Sequence, residues 1–83
     1  RGNHAHKNLE QVFIAINGSF DIEIDDGKSS KVFHLNSKNL GLYICPMIWR
    51  KMYNFSPGAI CIVIASERYQ EEDYIWDHKD LLK

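Results

Sequence analysis

The sequence Arg1-Gly-Asn-His-Ala-His-Lys-Asn-Leu-Glu-Gln-Val-Phe-Ile-Ala-Ile-Asn-Gly18 decides the fold that we expect for this chain. His4 and His6 are one residue apart. Because successive side chains of a strand point to opposite faces, both rings should project from the same face. The β-branched and aromatic run from Val12 to Ile16 is typical of a strand that is buried on both faces. The stretch therefore predicts a strand that carries two imidazoles, then a buried strand that ends at a glycine turn.

Short strands joined by turns continue beyond this stretch. Phe20, Ile22 and Ile24 alternate with acidic residues, which is the pattern of a half-buried antiparallel strand. Asp26-Gly27 then favours a hairpin, with Val32 to Leu35 as its return strand. We expect these two segments to pair with each other.

Three further segments follow, at residues 42–45, 48–55 and 59–65. The first and third are apolar, whereas the second mixes aromatic residues with Arg50 and Lys51. Pro46 interrupts the first, because proline cannot donate a hydrogen bond to a strand partner. The third segment is the most apolar of the chain, and we predict that it is a central strand. Many short strands joined by glycine and proline turns indicate a β-sandwich or β-barrel.

The last part of the chain is polar. The acidic run Glu71-Glu72-Asp73 predicts a solvated loop. Asp77 to Leu82 predicts one short C-terminal helix, with Asp77 as its N-cap.

Composition limits the classes of protein that fit. A chain of 83 residues has room for one small domain, 1–83, and its modest core makes a partner subunit an expectation. With a net charge of -1, the chain is not expected to have the basic surface that nucleic-acid binding needs. No apolar run has the length of a membrane span. Cys45 and Cys61 lie in apolar surroundings, which favours buried free thiols in a cytoplasmic protein.

The histidine pair, the acidic residue Glu10 and the glycine that follows the next strand resemble the first motif of the cupin superfamily, which in most cupins supplies three metal ligands. Counted back from Gly18, however, the third ligand position holds Gln11. A neutral amide binds a divalent cation far less well than a carboxylate does. The spacing therefore argues against a metal site of the usual cupin kind.

The fourth cupin ligand, a histidine, commonly lies five residues after a proline at the start of the second motif. When Cys45 is aligned with that proline, the fifth residue onward is Arg50. Arginine stays protonated and has no lone pair for a cation. With only His4 and His6 left as ligands, we predict no metal and no cofactor, and acid–base chemistry instead.

Several separate motifs extend the resemblance along the whole chain. They are Arg1-Gly-x-His-Ala-His-Lys, Gln11, Cys45-Pro-Met-Ile-Trp-Arg50, Phe55-Ser-Pro-Gly58 and Asp73-Tyr-Ile. Together they resemble the cupin-fold dTDP-sugar 3,4-ketoisomerases, the WxcM-like group. This resemblance implies an all-β, RmlC-like jelly-roll barrel or sandwich with a short C-terminal helix. Members of the group carry additional strands before the first motif, so we expect 1–83 to be a single cupin domain shortened at its N-terminus.

The resemblance also implies an activity and a site. The reaction would convert dTDP-4-keto-6-deoxyglucose into a 3-keto isomer through an enediol, with His4 and His6 as the catalytic pair in either order, since histidine can accept or donate a proton near neutral pH. The predicted substrate-binding residues share the ability to hold charge, to hydrogen bond or to stack on a ring. They are Arg1, Gln11, Trp49, Arg50 and Tyr53.

Other readings of these residues remain open from the sequence. Trp49 and Tyr53 could be core residues, and Arg50 could form a structural ion pair. Two further function classes are a metal-dependent cupin isomerase or dioxygenase, using His4, His6 and Glu10 or Gln11, and a non-catalytic sugar-binding module. The family resemblance implies a homodimer in cytoplasmic nucleotide-sugar synthesis.

Overall fold

The structure, a computed structural model, describes residues 1–82, and within them the chain is built almost entirely of strands. The elements are β1 (Gly2–His6), β2 (Gln11–Asn17), β3 (Phe20–Asp25), β4 (Ser30–Leu35), β5 (Gly41–Ile44), β6 (Trp49–Tyr53), β7 (Ile60–Ala65), a 3₁₀ helix (Glu71–Asp73), β8 (Tyr74–Ile75) and a second 3₁₀ helix (His78–Leu82). The strands form a five-stranded sheet in the order β4-β3-β6-β1-β8 and a three-stranded sheet in the order β5-β2-β7. All described pairings are antiparallel. The predicted all-β, cupin-like fold is confirmed.

The main core lies between the two sheets. Phe20 and Ile22 of β3 are fully buried, and they face Phe13 and Ala15 of β2, which are also buried. Each large apolar side chain that is removed from water in this way contributes about 1.5–3 kcal/mol. The alternating pattern of β3 therefore predicted the inward-facing positions correctly.

The predicted hairpin is present between β3 and β4, which pair from Phe20–Leu35 to Asp25–Ser30. The side chain of Asp26 accepts hydrogen bonds from the backbone N–H groups of Lys28 and Ser29. These bonds fix the turn in the way that aspartate commonly does at the start of a loop.

The small sheet differs from the sequence prediction in two respects. β2 is buried on one face only, because Phe13 and Ala15 point into the core while Ile16 is 39% exposed. β7 is not central, since within residues 1–82 it pairs only with β2. Apolar content predicts burial, but it does not tell a central strand from an edge strand.

An apolar surface covers the outside of the three-stranded sheet. The register pairs Val12 with Tyr43 and Ile64, and Ile14 with Ile62, so these side chains share one face. Tyr43, Ile62 and Ile64 are exposed by 54%, 43% and 56%. We call these five residues the outer apolar face.

The C-terminal segment packs beside β1. The second 3₁₀ helix lies where the short helix was predicted, and Asp77 caps it by accepting a hydrogen bond from the Lys79 N–H at 3.0 Å. Leu81 and Ile75 bury Ala5 of β1 in a second, smaller cluster. In residues 1–82, neither short helix has the length or apolar character to cross a bilayer.

Both cysteines are free. Cys61 is partly buried against the main core, whereas Cys45 is exposed. The prediction of a buried Cys45 was therefore wrong, because Cys45 follows β5 at the start of the loop that leads to β6.

Candidate active site

A bulge in β1 brings His4 onto the inner face of the five-stranded sheet. Gly2 lies opposite Lys51 and His4 lies opposite Arg50, so Asn3 is an extra residue in β1. Gly2 has φ of 90° and Asn3 has φ of 52°, and a Cβ atom on Gly2 would lie 2.9 Å from the Arg50 carbonyl oxygen. Glycine is needed here because an L side chain would be strained and would meet this backbone.

The two imidazoles meet edge to edge, as the sequence spacing predicted. Nε2 of His4 lies 3.1 Å from Nε2 of His6, and the ring planes are 89° apart. Nδ1 of His4 donates to the carbonyl oxygen of Gly2 at 2.8 Å. His6 is fully buried, while His4 is half-buried and therefore the more accessible ring.

Asp73 holds the other side of His6. Nδ1 of His6 donates to a carboxylate oxygen of Asp73 at 3.2 Å, and the same carboxylate accepts from the backbone N–H groups of Asn8 at 2.8 Å and Leu9 at 3.2 Å. The prediction of a solvated acidic loop is thus wrong for Asp73, which is 9% exposed. Asp73 belongs to a motif noted in the sequence, but its separation from His6 along the chain gave no sign of the pairing.

Arg50 and Gln11 join the site from the two sheets. The guanidinium donates through Nη1 to the side-chain oxygen of Gln11, and through Nε and Nη2 to the carbonyl oxygen of Ile48 at 3.2 and 3.0 Å. Arg50 is fully buried, and no carboxylate in residues 1–82 forms an ion pair with it. Burial lowers its pKa to about 10, so it stays charged at neutral pH.

Both histidines are unprotonated in the resting site, because their pKa values are lowered. Burial is the main cause that lowers the pKa of His6, to about 4, and the positive charge of Arg50 adds to the effect. Burial likewise lowers the pKa of His4, partly offset by the Gly2 carbonyl. Asp73 opposes the shift at His6 without cancelling it. At neutral pH both rings are therefore uncharged and have a lone pair available.

The positions at which cupins place metal ligands converge here, but their donors do not suit a cation. His4 and His6 supply nitrogen atoms, whereas Gln11 has its oxygen engaged by the guanidinium of Arg50. A buried arginine repels a divalent ion and cannot coordinate it. Glu10, the other candidate ligand, accepts from the Tyr43 hydroxyl at 2.6 Å instead. Acid–base chemistry suits this set of side chains better than metal coordination.

Two aromatic residues that the sequence analysis did not single out line the site. Tyr74 lies opposite His6 in the β1–β8 pair, and its ring stacks on Trp76 with centroids 4.9 Å apart. The His4 ring lies 4.8 Å from Tyr74 and 5.4 Å from Trp76. The alternation Tyr74-Ile75-Trp76 was the available signal, since in a strand it places both aromatic rings on one face.

The predicted stacking residues Trp49 and Tyr53 lie on the opposite face of the sheet. In the β3–β6 pair, Arg50 faces inward, while Trp49 and Tyr53 lie opposite Asp25 and Asp21 on the outer side. Trp49 packs against the cluster of Ala5, Ile75 and Leu81. The structure does not bring these two aromatic residues together with the histidines.

Arg1 extends β1 at the end away from His6. Its backbone exchanges hydrogen bonds with Met52, at 2.6 and 2.7 Å. Its side chain lines a surface cavity of about 270 Å³ with Phe55, Ala59 and Cys61. Arg1 therefore lines a surface cavity that includes neither histidine of the imidazole pair.

The sequence of the chain matches the model of a known protein family. The family model described as "FdtA: WxcM-like, C-terminal" matches residues 1–83. The chain belongs to this family. The resemblance noted from the motifs is confirmed.

Relatives of the WxcM-like chain are sugar ketoisomerases. A TDP-4-oxo-6-deoxy-alpha-D-glucose-3,4-oxoisomerase of Aneurinibacillus thermoaerophilus is 42% identical over 83 residues, which is 100% of this chain and 60% of the relative. WlaRA, a TDP-fucose-3,4-ketoisomerase of Campylobacter jejuni, is 51% identical with a TM-score of 0.95, over 98% of this chain and 60% of that one.

A third relative is QdtA, a 3,4-ketoisomerase of Thermoanaerobacterium thermosaccharolyticum. A histidine-to-asparagine mutant of QdtA, solved in complex with TDP-4-keto-6-deoxyglucose, is 41% identical with a TM-score of 0.96. The match covers 99% of this chain and 59% of QdtA. The WxcM-like chain thus spans about 60% of the length of the relatives it matches.

Proposed function

We propose that this protein is a dTDP-sugar 3,4-ketoisomerase that converts dTDP-4-keto-6-deoxyglucose into a dTDP-3-keto-6-deoxyhexose without a metal. The observation that carries the proposal is the uncharged imidazole pair of His4 and His6 beside the buried cation of Arg50. Membership of the WxcM-like family and the names of its relatives support the same reaction.

The imidazole pair supplies the proton transfers. The hydrogen on C3 is acidic because it lies next to the C4 carbonyl, and a bare ring nitrogen of His4 or His6 removes it. The C3–H bond breaks, an N–H bond forms, and the electrons move into a C3–C4 enediolate. The same nitrogen pair then delivers that proton to the C4 carbon, while the proton of the C3 hydroxyl moves to the C4 oxygen, which leaves a carbonyl at C3 and a hydroxyl at C4.

Arg50 stabilises the charge that develops between these steps. Its guanidinium is already held by Gln11 and Ile48, so it does not need to reorganise when the enediolate forms. A buried cation without a carboxylate partner is costly in the free protein. An anionic intermediate beside Arg50 offsets that cost, which favours the transition state that leads to it.

The ring systems of Tyr74 and Trp76 give the site an apolar side. Aromatic faces pack well against the apolar face of a sugar or against a pyrimidine. We therefore assign substrate contact to Tyr74 and Trp76 ahead of Trp49 and Tyr53, because the former pair adjoins His4. Gln11 acts by holding Arg50.

The alternatives considered from the sequence have less support. A metal-dependent cupin would need ligands where Gln11 and Arg50 bind each other. A non-catalytic sugar-binding module would have no use for two histidines with lowered pKa values beside a buried cation. The named relatives are all isomerases, which favours the isomerase.

Incubation of the full protein with dTDP-4-keto-6-deoxyglucose in D₂O, followed by proton NMR, tests this function. We expect the H3 signal to disappear as the 3-keto isomer forms, with deuterium at C4 wherever the proton held by the imidazole pair exchanges with solvent before it is returned. Replacing His4 or His6 by asparagine should lower turnover, whereas His34→Asn, an exposed histidine on β4, should not. Full turnover by both the His4 and His6 variants would contradict the mechanism.

We further propose that the protein is a homodimer that works in cytoplasmic nucleotide-sugar synthesis. The outer apolar face supports an interface, because exposed apolar patches of this kind commonly mark contact with another chain. The unpaired edge of β7 within residues 1–82 supports it as well, since natural proteins cover such edges.

A further inference from the structure

The hydrogen bonds around the imidazole pair determine which nitrogen of each ring carries its proton. Nδ1 of His6 contacts the carboxylate of Asp73, and Nδ1 of His4 contacts the carbonyl oxygen of Gly2. A carboxylate and a carbonyl oxygen are acceptors only. Both Nδ1 atoms must therefore donate, and in each neutral ring Nε2 is then the bare nitrogen.

We infer that Asp73 is a positioning residue of the proposed isomerase, whose carboxylate fixes His6 in the Nδ1–H tautomer and so makes Nε2 the atom that exchanges protons with the substrate. This inference rests on the proposed function. The carboxylate is itself held by the N–H groups of Asn8 and Leu9, so its orientation does not depend on His6. Asp73 thus acts through the ring.

The same tautomer leaves a place for one proton between the two rings. With both Nδ1 atoms protonated, the two Nε2 atoms at 3.1 Å present lone pairs to each other. That distance suits an N–H···N hydrogen bond once a single proton is added. The proton taken from C3 is therefore held between the two Nε2 atoms until one of them returns it to C4, and no proton is gained or lost over the cycle.

Asp73→Asn tests the role of the carboxylate with little change in shape. The amide oxygen can keep the bond from Asn8, which places the amide N–H₂ toward His6 and Leu9. There the bond from Leu9 is lost, and the N–H₂ donates toward His6 and favours the opposite, Nε2–H tautomer. Two-bond ¹H–¹⁵N correlation spectra of the full protein, labelled at histidine, report the tautomer of each ring directly. Glu72→Gln is the matched control, because Glu72 is the exposed neighbour of Asp73.

In the unmodified protein and in Glu72→Gln, we expect His6 in the Nδ1–H form. In Asp73→Asn we expect the Nε2–H form, with kcat lowered by about 10²- to 10⁴-fold, as when the carboxylate of a serine protease triad becomes an amide. KM should change little. The inference is overturned if His6 of the unmodified protein has the Nε2–H form, or if Asp73→Asn keeps the Nδ1–H form or full kcat.

The tautomer measurement separates this inference from the proposed function. It needs no turnover, so a protein that fails to isomerise the nucleotide sugar still reports whether Asp73 sets the proton position on His6. It also needs no variant, so the spectrum of the unmodified protein decides the point even if Asp73→Asn does not fold.

Discussion

The side chain of Arg50 in β6 donates a hydrogen bond to the side chain of Gln11 in β2, and this bond joins the two sheets at the imidazole pair. Gln11 is uncharged, so the bond orients the guanidinium without neutralising it. The full charge of Arg50 therefore acts on the histidines, where it contributes to the lowered pKa of both rings.

Gln11→Glu should neutralise that charge. A carboxylate beside Arg50 forms an ion pair, so the enediolate loses its stabilisation, and we expect kcat to fall by about 10²-fold, as when an oxyanion donor is lost. The acid limb of kcat/KM should also move to higher pH, because the histidines no longer face a net cation. Steady-state kinetics across pH measure both effects.

Glu10→Gln is the control for that experiment. It changes charge at the neighbouring residue, whose side chain bonds Tyr43 and not Arg50. We expect near-normal kcat from Glu10→Gln. Equal losses in the two variants would show that general charge, and not the Arg50 contact, controls turnover.

Activity should persist at pH values below the ordinary pKa of histidine. The ratio kcat/KM reports the free enzyme, in which the pKa of His6 is lowered from 6.5 to about 4. The base is then still unprotonated at pH 5.5, and we expect the acid limb of kcat/KM to lie below 6. A limb at 6.5 or above, measured with a substrate stable over this range, would contradict the buried pair.

The same shift predicts how stability depends on pH. The unfolded chain binds a proton at His6 near pH 6.5, whereas the folded chain does so only near pH 4, so the free energy of unfolding rises with pH between these values. After allowance for solvent screening we expect roughly 1–2 kcal/mol from this residue. Urea titrations of the protein and of His6→Asn should show the smaller slope for the variant in this window.

Carboxylates give a separate contribution at lower pH. The pKa values of Asp21 and Asp25 are lowered from 3.8 by hydrogen bonds, chiefly from Asn54 and from the N–H of Gly27. Their contribution is present above 3.8 and is lost as the pH falls below it. It therefore does not overlap with the window assigned to His6.

Gly2→Ala should impair catalysis more than an alanine substitution at another glycine with positive φ. Its positive φ costs about 1–2 kcal/mol with an L side chain, and the new Cβ also pushes on the Arg50 carbonyl in the bulge that places His4. Gly58→Ala has φ of 73° but free space, with its nearest contact at 3.7 Å. We expect both variants to lose stability by thermal unfolding, Gly2→Ala more than Gly58→Ala because of the Arg50 contact, but only Gly2→Ala to lose turnover.

A charge on the outer apolar face should separate the proposed dimer. Ile64→Lys places an ammonium where two chains would bury the face, so we expect the molecular mass from light scattering to fall by about half. Val32→Lys on β4, where valine is 51% exposed, is the matched control and should leave the mass unchanged. A monomer before any substitution would refute the dimer.

Local patterns in the sequence were sufficient for the fold and for several residues of the candidate site. The alternation of apolar and acidic residues predicted β3, and Asp26-Gly27 predicted its hairpin with β4. The His-x-His spacing predicted that both imidazoles lie on one face. Counting from Gly18 and Cys45 also identified Gln11 and Arg50, which the structure brings into contact. These features depend on short separations or on motif spacing.

The remaining features depend on contacts between distant parts of the chain. Asp73 meets His6 only because β8 pairs with β1, and nothing in the acidic run reveals that pairing. Trp49 looked suitable for stacking, but its strand phase relative to Arg50 turns it to the outer side. The sequence shows which residues of 48–55 share a face, because side chains alternate along a strand. It does not show which strand pairs with β8.

The strands on the two sides of the imidazole pair differ in how strongly they are bound to the rest of the domain. Toward β6 the pair borders the double-layered core, whereas toward solvent it borders a strand of two residues that is joined to β1 through Ala5–Ile75 and His6–Tyr74. So short a ladder opens at lower free energy than the whole domain unfolds. We expect the proposed nucleotide-sugar substrate to enter and leave past Tyr74 and Trp76 while the side that holds Arg50 keeps its geometry.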